Sequence, residues 1–184
     1  MTEQADLFTG VRRMFWGFFF LLLDFNLNLN STVTIPLLPD VLGWFFLFRG
    51  IDALSPARPS LELLNPFCIV LGVCSLTQFL PALEELSPGW LSLLLAMVNL
   101  YTYFQLLTDL ATLAEETLED GNMGKKLRAC RTLLVVIQTA LYLQDLFLRF
   151  PALAVPLVAV SFCVFFVLLF QLWGFSRDLE DLET

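Results

Sequence analysis

Two groups of polar side chains stand out in a chain that otherwise offers little chemistry: Asp24, Asn26, Asn28 and Asp40 near its start, and Gln144, Asp145 and Arg149 further on. Carboxylates and amide oxygens are hard ligands suited to a cation or a polar solute. Asp145 and Arg149, at i and i+4, can pair on one helix face. The uncharged run MFWGFFFLLL before Asp24 covers about 15 Å as helix, half of a ~30 Å hydrocarbon core, so a spanning first helix carries Asp24 inside the membrane. A charge that faces lipid costs about 2.5–3.5 kcal/mol even on the lenient insertion scale, so these groups are expected against protein or water. A polar pocket open to one side is the functional expectation. In the plainer alternative, Asp40 caps its helix, Asp145 and Arg149 pair at the interface, and the asparagines solvate a surface loop.

A second polar set lies at mid-helix spacing: Asn99 with Tyr103, and Gln138 with Tyr142. Such residues are expected as interhelical hydrogen-bond links, worth under ~2 kcal/mol each. The sequence contains no histidine, which removes the commonest general base and the commonest transition-metal ligand. No nucleotide-binding loop, metal-ligand pair or Ser-His-Asp arrangement can be assembled. Asp24 and Asp40 are the carboxylates an aspartyl-type intramembrane hydrolase would need, yet nothing in the sequence brings them within sharing distance of one proton. No enzymatic activity, cofactor or metal is therefore expected. Cys68, Cys74, Cys130 and Cys163 show no C-x-x-C spacing and read as thiols filling apolar space.

The elements that must position these groups follow from composition. The chain has 184 residues, of which 58% are apolar and 15% charged, with 19 phenylalanines, which makes a membrane protein the default. The net charge of −8 sits mainly in loops and tails and implies no nucleic-acid partner. The expectation is an all-α, polytopic transmembrane helical bundle over 1–184, a single integral membrane domain. It has about six spans, or four spans plus a re-entrant N-terminal pair. Helix one occupies Val11 to Leu23, and the first apolar run leads into Asp24 without a small-residue cleavage site, so it is expected to remain in the mature protein. From Asp24 to Ile35 polar and apolar residues alternate, which favours an extended segment, with a helix to about Asn28 that then unwinds as the alternative. The triplet Asn30-Ser31-Thr32 is a glycosylation sequon by form only.

Helix two is expected over Pro36 to Leu54, helix three over Leu63 to Leu83, and helix four from Leu86 through Thr108, continuing along DLATLAEETLED until Gly121-Asn122 breaks it. The basic cluster Lys125, Lys126, Arg128 and Arg131 opens helix five, Leu127 to Leu148, and faces the acidic run across a solvated corner; helix six covers Phe150 to Ser176. Helices one, two and five carry the ionisable groups and are expected to share the interior. Nine basic residues (Arg12, Arg13, Arg49, Arg58, Lys125, Lys126, Arg128, Arg131, Arg177) fall on one side of these spans and only Arg149 on the other, which places both termini in the cytoplasm.

The LDFN segment Leu23 to Asn26, followed by LPDVLGW from Leu38 to Trp44, resembles the N-terminal hairpin of uncharacterised multi-spanning membrane proteins of Gram-positive, Clostridia-like bacteria. The resemblance implies a plasma-membrane location and a class, without an activity. In size the chain is also similar to the solute-binding subunits of energy-coupling-factor importers, though it lacks an early Ala-rich small-x-x-x-small face for docking a partner. The expected partners are the lipid bilayer and either a small solute or cation or a second membrane protein. The leading function is solute or ion transport, or membrane solute binding, through the polar cluster. The alternative is a non-catalytic partner or scaffold subunit of a membrane complex.

Overall fold

Leu7, Val11, Met14, Phe18 and Leu22 recur every three or four residues and are all buried, while Asp6, Arg12 and Trp16 are exposed between them. This stripe carries the first helix back to Thr2, well ahead of the Val11 start read from the charge-free run. The computed structural model describes residues 2–23, 27–30, 33–35, 39–76, 89–118, 121–143 and 151–182. Among these, α1 (Thr2–Leu22) leads into a short antiparallel hairpin of β1 (Leu27–Asn30) and β2 (Val33–Ile35). Leu27 pairs with Ile35 and Asn28 with Thr34, and an irregularity follows Asn28. The alternating polar pattern is thus realised as extended backbone.

Helix α2 (Pro39–Leu54) begins with a proline and carries Asp40 in its first turn, where the helix dipole favours an anion. A 3-10 turn over Pro59–Leu64 leads into α3 (Asn65–Ser75), with Pro66 in the first turn. The remainder of the expected third helix lies outside the described residues. Helix α4 (Gly89–Thr117) runs unbroken for 29 residues through the AEET segment, and Gly121 then turns the chain at φ +53, a conformation that favours glycine. Helix α5 (Asn122–Leu143) and the 31-residue α6 (Pro151–Asp181) complete the chain.

Each helix packs on its neighbours in sequence, and α6 packs back on α1, so the six helices close into a ring. Of helices one, two and five, expected to share the interior, α1 and α2 pack on each other, and α5 does not join their seam. Instead α5 packs along α4 and α6, because its apolar residues Leu127, Cys130, Leu134 and Ile137 form its buried stripe while Gln138 is only half buried. The tightest seam is α1 against α2, and it rests on glycines seven residues apart on both helices. A Cβ at Gly10 would lie 2.5 Å from Leu54, at Gly17 2.7 Å from Leu47, at Gly43 2.6 Å from Leu21 and at Gly50 3.0 Å from Met14. Removing those side chains lets the two backbones approach closely.

Tyr103 of α4 sits on the ring's axis. Its ring lies 5.8 Å from Phe18 of α1, 6.0 Å from Trp44 of α2 and 6.2 Å from Phe165 of α6. Among the described residues two helices are long and apolar enough to cross a bilayer, over Trp90–Thr117 and Val155–Asp181; the six-span expectation reaches no further than these two by that measure. The others fall short for physical reasons: α2 has only 16 residues, and charges enter α1 and α5 at Arg12, Arg13, Lys125, Lys126, Arg128 and Arg131.

Candidate functional site

Where α2 and α4 begin and α3 and α5 end, the ring opens into a cleft of about 350 Å³. Its wall includes Leu21, Trp44, Leu71, Leu95 and Ala96, and its polar lining is Asp40, Cys74, Ser75, Ser92, Asn99, Tyr103 and Tyr142. Each group is placed by an ordinary element. The N-terminal turn of α2 presents Asp40, and one turn on, Trp44 stacks on Tyr103 at an interplanar angle of 14°. Ser75 closes α3 by donating to the carbonyl of Gly72 at 2.8 Å.

Asn99 and Tyr103 share one face of α4, as i, i+4 spacing requires. The Asn99 amide donates to the hydroxyl of Tyr142 at 3.4 Å, tying α4 to α5, and Gln138 donates to Ser161 at 3.5 Å, tying α5 to α6. Both mid-helix pairs thus act as interhelical links. Asn99 Oδ1 is buried and accepts no hydrogen bond among the described residues. An unpaired amide oxygen removed from water costs about 1–3 kcal/mol, so this acceptor is the natural seat for a donor that enters the cleft.

The opposite end of the ring has another character. Asp109, on α4, is 2% exposed and accepts hydrogen bonds from Ser60 at 2.9 Å and from Gln105 at 3.0 Å. Arg58, in the connection between α2 and α3, lies 3.5 Å from Asp109 and bonds Glu116 at 3.0 Å. Beside it Arg128 grips Glu115 with two hydrogen bonds of 3.1 and 2.7 Å, and Arg131 donates to Thr108 at 2.9 Å while its guanidinium covers Phe104 at 4.6 Å. This is the solvated acidic-basic corner expected from sequence, extended inward to a buried carboxylate that was not. Asp109 opens the DLATLAEETLED extension of helix four read from the sequence, which gave no sign that it would be buried.

Of the predicted site residues, Asp40 lies in the cleft. Asn28 is in β1, opposite Thr34. Asp24, Asn26, Gln144, Asp145 and Arg149 lie outside the described residues. Trp44, Cys74, Ser75 and Ser92 were not singled out as site residues. A weak signal existed for Trp44, one helical turn after Asp40, and none for the others, whose convergence depends on the packing of α3 against α4. No disulfide joins the cysteines: Cys68 and Cys130 are buried and Cys163 is exposed. Among the described residues no group of three His, Cys, Asp or Glu side chains is placed to hold a metal ion. No protein-family model, curated protein sequence or solved structure matches the chain.

Proposed function

We propose that this chain is a multi-pass membrane protein with both termini in the cytoplasm, and that its cleft binds a small polar solute or cation on the outer side, for transport or for delivery to a transport partner. The membrane reading is supported by where the apolar surface lies. Only 22% of the apolar stretch of α4 and 33% of that of α6 is buried, and Met97, Val136, Val155 and Phe170 are between 60% and 78% exposed. A core helix of a soluble protein would bury that surface, and exposed apolar surface on this scale marks contact with lipid or protein. With the basic residues inside, alternate helix ends fall on opposite sides, and the end bearing Asp40, Ser75, Ser92 and Tyr142 faces out.

The observation that carries the solute-binding reading is the polar cleft itself, at the axis of a helix ring, with an unbonded Asn99 oxygen in its lining. Pockets between bundle helices with a few convergent polar groups are the usual form of a small-molecule site. A complete solute and cation library screened by thermal unfolding of the purified protein tests it. At least one member is expected to raise the melting temperature in a concentration-dependent way, by mass action on the folded state, and Asp40→Asn is expected to lose the response. A library without any shift, together with stoichiometric co-purification of a second membrane protein in mild detergent, would replace this reading with a scaffold role.

A further inference from the structure

Three arginines reach α4 at the end of the ring held by Arg58, and one of them differs in its company. Arg58 meets Asp109 and Glu116, and Arg128 meets Glu115. Arg131 meets no carboxylate among the described residues. Its Nη1 donates to the Thr108 hydroxyl at 2.9 Å, its guanidinium lies 4.6 Å over the Phe104 ring, and its buried Nε has no partner. A hydroxyl and a ring face hold a guanidinium without neutralising it. The corner that contains Glu119 and Asp120 lies between Thr117 and Asn122, which are nine residues of helix, about 14 Å, from Thr108 and Arg131 respectively. A guanidinium held at Thr108 does not reach that corner.

Helix α4 sets the depth of this charge, given the membrane part of the reading above; the cleft plays no part. Trp90, Leu94, Met97, Tyr101 and Phe104 recur at three- and four-residue spacing and are 42–65% exposed, so one face of α4 is an apolar stripe that ends at Thr108. Trp90 to Thr108 rises about 27 Å, close to the ~30 Å of a hydrocarbon core. Trp90 suits the outer boundary, as interfacial tryptophans do, and Thr108 with Arg131 then falls at the inner one, where the lipid phosphates of the cytoplasmic leaflet lie. We infer that this spot seats the headgroup of an anionic phospholipid: its phosphodiester accepts hydrogen bonds from the Arg131 guanidinium, and an acyl chain lies along Phe104, Tyr101 and Met97. A zwitterionic lipid brings its own ammonium group to the phosphate, so the guanidinium favours a headgroup of net negative charge.

The test counts the lipids that the full chain keeps. The protein is placed in nanodiscs of phosphatidylcholine with about one-fifth phosphatidylglycerol, released into mild detergent, and its bound lipids are identified by mass spectrometry. Wild type is expected to hold phosphatidylglycerol at about threefold or more above its share of the bilayer. Arg131→Gln returns that share to the bulk value. Arg131→Lys, which keeps a charge but loses the planar fork, falls between. Arg12→Gln removes an equal charge from α1 and leaves the enrichment unchanged. Inorganic phosphate, compared with chloride at matched ionic strength, does not displace the lipid.

Bulk composition around wild type, or an Arg131→Gln protein enriched like wild type, overturns the assignment. An equal loss with Arg12→Gln also overturns it, since the attraction then belongs to the whole basic end. Displacement by inorganic phosphate overturns it in favour of a soluble anion. Should Arg131→Gln not fold, Arg131→Lys carries the decision, and enrichment equal to that of wild type overturns the assignment. Extraction of the chain from native membranes by alkaline carbonate would overturn the membrane reading itself, whereas a chain that stays in the membrane without a lipid preference overturns this inference alone.

Discussion

The two ends of the helix ring spend their polar groups differently. At the end held by Arg58, the α4 carboxylates Asp109, Glu115 and Glu116 each meet a guanidinium, and Ser60 and Gln105 complete the shell of Asp109. At the end that bears Asp40, the polar groups border the cleft, and Asn99 Oδ1 accepts no hydrogen bond among the described residues. At the first end the carboxylates are paired from within the protein and tie the α2–α3 connection to α4, although Arg58 Nε and Arg131 Nε make no hydrogen bond among the described residues. Carboxylates paired with guanidinium groups in one place, and polar groups bordering a cleft in another, distinguish a structural joint from a candidate site.

The largest effect should come from breaking the joint. Asp109→Ala takes away the acceptor shared by Ser60, Gln105 and Arg58, and loss of one partner from a buried ion pair typically costs about 3–5 kcal/mol. Chemical unfolding in detergent should show that loss without a change in ligand selectivity. Next comes Gly43→Leu, where the first added carbon would meet Leu21, a residue of the cleft wall, at 2.6 Å and the carbonyl of Gly17 at 3.1 Å. Overpacking of this kind costs about 1–3 kcal/mol, and here ligand affinity should fall together with stability.

Arg128→Ala acts at the satisfied end but near its surface, since Arg128 and Glu115 are 42% and 33% exposed. Its cost should stay within about 1 kcal/mol by the same unfolding measurement, which separates the buried part of the joint from its rim. The smallest change in stability is expected for Asn99→Leu. It removes a long 3.4 Å bond to Tyr142 and with it the unpaired oxygen, so stability should shift by less than ~1 kcal/mol or rise, while ligand binding weakens. A loss as large as that of Asp109→Ala would erase the contrast between the two ends.

Much of this architecture could be read from the residues. Alternation from Asp24 to Ile35 favoured extended backbone, which Leu27–Asn30 and Val33–Ile35 adopt, Gly121 marked the break after α4, and the facing charges near it foretold the Arg128–Glu115 pair. The misses share a cause: they depend on spacing across more than one element. The glycines at 10, 17, 43 and 50 have a seven-residue period within each helix, yet their meaning appears only when the two helices lie antiparallel. Asp109 became a buried group because the α2–α3 connection folds back on α4. Asn99, Tyr103 and Tyr142 were legible as helix links, while their second role as cleft lining required the ring to close.

The central claim is that the Asp40 end is an outward-facing, solvent-reachable cleft. Cys74, half buried in its lining, offers the most direct probe once Cys68, Cys130 and Cys163 have been replaced by alanine. A membrane-impermeant maleimide applied to right-side-out vesicles should modify Cys74, and a bound solute should slow that modification. Modification only in inverted vesicles, or none until the protein is unfolded, would contradict the account.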